Sequence, residues 1–230
     1  FGLNLLSSVL LVINWTVYIW AVNSGHVIES SLGYFLVPLV NVALGSLLLH
    51  ERLRPPQWIA IGFAAAGVGV LLTRTGHVPW IAITLAVTWA GYGLLKKRSS
   101  LGSIAGLTVE TILLFPLAAG LLLWWYHTGE GALGRVDLRL HLYILSIGVV
   151  TAIPLLLFAY GAQRIRLATL GLLQYLAPSV QFLIGWLWYR ESFDHVRLQA
   201  FGLIWCGLAL YSADAFWIQR RMLLRSVGVG

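Results

Sequence analysis

The sequence predicts an all-α fold: a polytopic membrane helix bundle with about eight transmembrane helices. Composition, spacing and an internal repeat carry that prediction. Hydrophobic residues make up 59% of the 230 residues and charged residues only 10%, and mean hydropathy is +0.85. Soluble domains carry about a quarter charged residues, so this composition excludes disorder, a nucleic-acid module and a small secreted disulfide scaffold. The single cysteine, Cys206, excludes an intrachain disulfide and a cysteine-rich metal site.

A hydrocarbon core of ~30 Å needs roughly 20 helical residues, and eight apolar runs approach that length. They are Gly2–Val22, Ser30–Leu49, Trp58–Thr73, Pro79–Leu95, Ser103–Tyr126, Leu140–Tyr160, Ala168–Tyr189 and Leu198–Trp217. The first run is apolar from its start, without the basic leader and cleavage site of a signal peptide. Phe1 therefore reads as lying in or near a span of a longer protein. Pro55 and Pro56 precede the third run and Pro79 opens the fourth, as suits a helix start. Lys96, Lys97 and Arg98 close the fourth run. Trp20, Trp58, Trp80, Trp124, Trp125, Trp188 and Trp217 sit near run ends, where an aromatic belt anchors helices at the interface.

Loop charges set the expected orientation. Labelling the loops alternately puts ten Lys/Arg on one side, including Arg52, Arg54, Lys96, Lys97, Arg98, Arg164 and Arg166, and five on the other. The richer side should be cytoplasmic, which places the C-terminus inside.

The repeat appears when the chain is displaced by 140 positions. Pro38, Gly45, Glu51, Ala60, Gly62 and Gly67 then fall on Pro178, Gly185, Glu191, Ala200, Gly202 and Gly207, and Asn41 falls on Gln181. The matched helices are five spans apart, so the two copies cross the membrane in opposite directions, a pattern typical of secondary transporters. The division expected is residues 1–75 as three helices of a first repeat, 76–218 as a second five-helix repeat, and 219–230 as a cytoplasmic tail. Equal halves would place two further helices before Phe1.

Chemistry concentrates on the repeat-related helices. Pro38 and Pro178 lie mid-span, and each should free the carbonyl four residues earlier, on Tyr34 and Gln174. Asn41 and Gln181, one turn further on, add carboxamides that donate or accept. These residues, with Asn14 and the aromatic pair Trp89 and Tyr92, form the expected substrate pathway. Glu110 is the one carboxylate read as deep within a span; an ionisable group there is costly and marks a candidate for proton coupling, with an interhelical ion pair as the plainer reading. Glu51 and Glu191 close the two related helices on opposite faces, as helix-end ion pairs or as gates. The small residues Gly62, Ala66, Gly67 and Gly69, and Gly202, Cys206, Gly207 and Ala209, suit close helix packing or a homodimer contact. All six histidines lie in loops or at run ends. No zinc helix, nucleophile elbow or phosphate loop occurs, so no enzyme, metal site or cofactor is expected.

The strings NWTVYIWAVNSGHVIESSLGYFLVPLVNVALGSLLLHERLRPPQW and GLLQYLAPSVQFLIGWLWYRE, with VETILLFP around Glu110, resemble the EamA-type drug/metabolite transporters, and the first resembles the RarD-like group most closely. The resemblance runs from about Val12 to Arg221. It implies ten helices in two inverted five-helix repeats, both termini cytoplasmic, the bacterial inner membrane as location, and a gradient-driven permease for small metabolites or drugs of the kind described for chloramphenicol sensitivity. By that resemblance Asn14, Tyr34, Pro38, Asn41, Pro154, Gln174, Pro178 and Gln181 are cavity-lining positions, and the family's first two helices precede this chain. The expected partners are the lipid bilayer, a small organic solute and protons, without nucleic acid. The competing reading is a truncated, non-transporting scaffold that supplies helices to another chain.

Overall fold

The computed structural model describes residues 2–73, 78–132, 134–187 and 195–226. Among them the structure is helical throughout, in the order α1 (Gly2–Asn23), α2 (Val27–Leu48), α3 (Pro55–Leu72), α4 (Trp80–Arg98), α5 (Ser103–Thr128), α6 (Leu138–Arg164), α7 (Leu167–Leu173), α8 (Leu176–Leu187) and α9 (His195–Ser226). Helices α1, α2, α3, α5, α6 and α9 are each long and apolar enough to cross a membrane. This is a polytopic helical membrane bundle. Most predicted runs end within a few residues of the observed helices.

The seventh run departs from the expectation. In place of a single span over Ala168–Tyr189, the described chain forms two helices, α7 and α8, broken at Gln174 and Tyr175. Gln174 remains in helical dihedrals as the C-cap of α7. Pro178 is the third residue of α8, so it begins a new helix, where its missing N–H costs nothing. The carbonyl of Gln174 accordingly takes the N–H of Ala177 at 3.3 Å. It is not the freed acceptor that a mid-helix proline would leave. Pro38 does lie inside the continuous α2.

The described chain divides into two compact units: Phe1–Ile13 with Gly91–Ile165, and Asn14–Ala90 with Arg166–Gly230. The first unit is built on α5 and α6. Asp137 caps α6 by accepting from the N–H of Leu140 at 3.3 Å, and Gly129 ends α5 at φ +88°, a conformation that favours glycine. Leu138, Leu145, Val149, Val150 and Leu157 of α6 are all exposed. In a bilayer those side chains face lipid at little cost, because the helix bonds its backbone groups internally except at its ends and at Pro154.

The second unit is organised by two helix pairs, α3 with α9 and α2 with α7. The α3–α9 pair is held by glycines. A Cβ on Gly67 would stand 2.7 Å from the carbonyl oxygen of Ala200, and one on Gly207 would stand 2.5 Å from that of Ala60. Both pairs are reciprocal under the 140-residue displacement. Gly62 and Gly202, also related by it, have open space around them. The small-residue stripes therefore split into a buried seam and a free face. Ala60, Ala64, Leu172, Tyr175, Ile204 and Tyr211 form the main core. The hydroxyl of Tyr175 donates to the carbonyl of Phe35 at 3.1 Å, the position related to Tyr175 itself by the displacement.

Candidate functional site

One buried polar pair of the second unit, Asn41 and Gln174, sits where α2 meets the α7–α8 break. Gly171 makes the approach possible: a Cβ there would lie 2.7 Å from Asn41 Cβ and 2.9 Å from the Pro38 carbonyl oxygen. Asn41 is fully buried. Its Nδ2 donates to Gln174 Oε1 at 3.0 Å. Asn41 Oδ1 and Gln174 Nε2, the remaining polar atoms of this amide pair, are buried and have no partner among the described residues. Buried polar groups are nearly always satisfied, and leaving one unmade costs about 1–3 kcal/mol, so two adjacent orphans on one pair are unusual.

Of the other expected pathway residues, Asn14 is buried and spends both Nδ2 protons on α4, at 2.9 Å from the carbonyl of Leu85 and 2.9 Å from Thr88 Oγ1. It clamps two helices. Tyr34 is largely exposed, with its ring edge-on to Tyr18 at 5.8 Å. Trp89 is half-buried. The side chain of Gln181, and Glu191 as a whole, lie outside the described residues.

Two carboxylates of this unit cap helices other than their own. Glu51, in the α2–α3 loop, accepts the N–H of Leu167 at 2.7 Å and that of Ala168 at 3.1 Å, which are orphan donors of the first turn of α7. Its approach is shaped by His50, at φ +52°, and by Gly45, where a Cβ would stand 2.8 Å from Glu51 Oε2. Arg166 ties the same joint by donating to the Arg52 carbonyl at 3.2 Å. Glu29, in the first turn of α2, accepts the N–H of Ile81 at 2.9 Å. Glu29 immediately precedes the apolar run Ser30–Leu49, and that position is the one sequence signal for it. Arg54 pairs with Asp214.

The first unit holds the ion pair. Glu110 and Lys96 are each 1% exposed, and Nζ lies 2.7 Å from Oε1; beyond this ionic contact Nζ has no hydrogen-bond partner among the described residues. Ser7 donates to Glu110 Oε1, and Tyr92 donates to Oε2 at 3.3 Å. Tyr92 stacks on Phe158 with centroids 6.1 Å apart. Gly106 leaves room for the ammonium, since a Cβ there would stand 3.3 Å from it. Glu110 thus has an ion-pair partner from within this chain. The partner is a lysine from the basic run closing α4, counted in the sequence only as an orientation signal. Lys97 of the same run donates to the carbonyl of Ile165, at the C-terminus of α6. Among the described residues no group of three or more His, Cys, Asp or Glu could hold a metal.

Comparison with known proteins agrees with this architecture. The EamA-like transporter family profile matches residues 2–73 and 78–213. The protein RarD of Streptomyces exfoliatus is 42% identical over 97% of this chain and 71% of its own length. An uncharacterised transporter of Pseudomonas aeruginosa is 43% identical over 94% of this chain and 72% of its own length. RarD of Escherichia coli is 41% identical over 94% of this chain and 73% of its own. A protein of known crystal structure superimposes with a TM-score of 0.62 at 25% identity, covering 86% of this chain and 72% of that one. A match over most of the residues, joined to a polytopic helical fold, makes this chain a member of the EamA-like transporter family.

Proposed function

We propose that the chain is the helical body of a secondary active transporter that moves small organic metabolites or drugs across the bacterial inner membrane, with its C-terminus in the cytoplasm. The observation that carries this reading is the amide pair Asn41–Gln174, buried in α2 and at the α7–α8 break with two unpaired polar atoms. Helices interrupted near the midplane are where inverted-repeat transporters hold their solutes. Alternating access would open and close this site by moving α7 relative to α2, with Gly171 at the contact. Glu51 holds the start of α7 in the closed arrangement and acts as a gate, and Glu191, its repeat counterpart, serves the opposite face. Tyr34, Pro38, Pro178 and Gln181 complete the path, and Asn14 and Trp89 support it.

Glu110 is the proposed coupling residue. Protonation would abolish its charge and release Lys96, so the pair has two states with different charge, as a proton-driven cycle requires. Nothing observed favours the scaffold reading. The test uses the full-length protein in proteoliposomes with an entrapped pH dye, challenged with a panel of amino acids, nucleosides and amphipathic drugs. A solute-dependent pH signal in wild type that vanishes in Glu110→Gln, while that variant still exchanges labelled solute, is expected. A panel that moves no proton and no solute would contradict the reading.

A further inference from the structure

The unpaired atoms at Asn41 and Gln174 define what kind of group fits between α2 and the α7–α8 break. In the pair, Asn41 Nδ2 donates to Gln174 Oε1, which leaves one acceptor, Asn41 Oδ1, and one donor, Gln174 Nε2. Exchanging oxygen and nitrogen in both carboxamides reverses the internal bond and still leaves one donor and one acceptor. The pair therefore asks for a ligand group that supplies both a donor and an acceptor.

Charge narrows it further. The described charged side chains of this unit, Glu29, Glu51, Arg52, Arg54, Arg166 and Asp214, are engaged elsewhere or lie in loops. Glu29 bonds Ile81, Glu51 bonds α7, Arg54 pairs with Asp214, and Arg166 bonds Arg52. Glu29 stands ~18 Å from Asn41 along α2. None of these described side chains bonds Asn41 or Gln174; Glu51 comes within about one to two helical turns of them, at Gly45 and Ala168, but its carboxylate is spent on the N–H groups that open α7. A charged group there would lose its hydration with no counter-ion bonded to the pair among the described residues, which is far costlier than burying a neutral amide that finds both partners.

We propose that this pair binds an uncharged amide, its N–H donating to one carboxamide and its C=O accepting from the other, so that the preferred solutes are neutral amide-bearing molecules and not zwitterions or ions. The proposal rests on the transporter reading for its physiological meaning. Binding itself is measured separately.

The probes are three N-acetyl-L-amino acid amides (alanine, leucine and phenylalanine), compared with the N-acetyl acids, which are anions, and the free amides, which are cations. Thermal unfolding of the purified full-length protein reports binding, and labelled-probe flux in proteoliposomes reports transport. At least one neutral probe should raise the Tm by a few degrees at millimolar concentration, with its charged relatives giving less than a third of that shift. Gln174→Met and Asn41→Leu, both near-isosteric, should each abolish the shift. Gln174→Asn keeps the chemistry with a shorter reach and should retain part of it, which separates lost recognition from lost folding. Shifts without flux would leave the binding assignment standing and sink the transporter reading. Flux of a charged probe with no shift from any neutral one would do the reverse. Equal shifts from neutral and charged probes, or no shift from any neutral probe, would overturn the proposal.

Discussion

Lys96 shows how much one residue's meaning depends on its neighbour. As part of a basic run it reads as an orientation signal, yet it is 1% exposed and faces Glu110 at 2.7 Å. Removing one partner of a buried pair strands the other's charge, typically at 3–5 kcal/mol, whereas removing both together can be nearly neutral. Lys96→Met should therefore destabilise the protein by ~3–5 kcal/mol, and Lys96→Met with Glu110→Gln should be markedly more stable than Lys96→Met alone. Unfolding in mixed micelles measures both. Equal losses in the single and double variants would mean the pair is not coupled. The same logic applies more gently to Glu51. Glu51→Gln keeps one acceptor but loses the charge facing the N–H groups of Leu167 and Ala168. The expected cost is ~1 kcal/mol, read in the same unfolding assay. Hydrogen exchange should speed up at the start of α7 before it does in α3. No change at α7 would show that Glu51 is not its cap.

At the scale of elements, the α3–α9 seam gives a direct contrast. Gly67 and Gly207 each press against a backbone carbonyl of the other helix, while Gly62 and Gly202 face open space. Gly67→Ala or Gly207→Ala should force the helices apart and cost ~1–3 kcal/mol. Gly62→Ala should be neutral or slightly stabilising, since alanine is the better helix former. Thermal scanning of the three variants checks this, and a neutral Gly207→Ala would refute the seam. The elements also show what could be read from sequence. Span positions were legible because burial in lipid demands ~20 apolar residues and leaves little freedom. The break at Gln174–Tyr175 was not, because a proline marks a helix that starts as readily as one that kinks. Pro178 does the first and Pro38 lies within a continuous helix. Likewise Asn41 was legible as a polar residue in an apolar run, but its partner Gln174 could only be placed once α7 and α2 were brought together. Asn14 carried the same signal and turns out to bond α4 through both donors; a lone asparagine in a span does not say which helix it will meet.

For the whole molecule, family membership and the polytopic fold establish a membrane transporter of the EamA-like type; the amide pair and Glu110 are its proposed site and coupling group. In the proposed cycle, solute passes the buried amide pair of α2 and α7. The most direct measurement is the initial rate of solute flux in proteoliposomes carrying equal amounts of correctly inserted wild type and Asn41→Ala, with unfolding scans to confirm that both are intact. Asn41→Ala should lose at least tenfold in rate, roughly 1.4 kcal/mol of lost interaction, while the stranded Gln174 Oε1 costs ~1–3 kcal/mol of stability and the variant stays folded. Wild-type flux in a folded Asn41→Ala variant would contradict the proposed cycle.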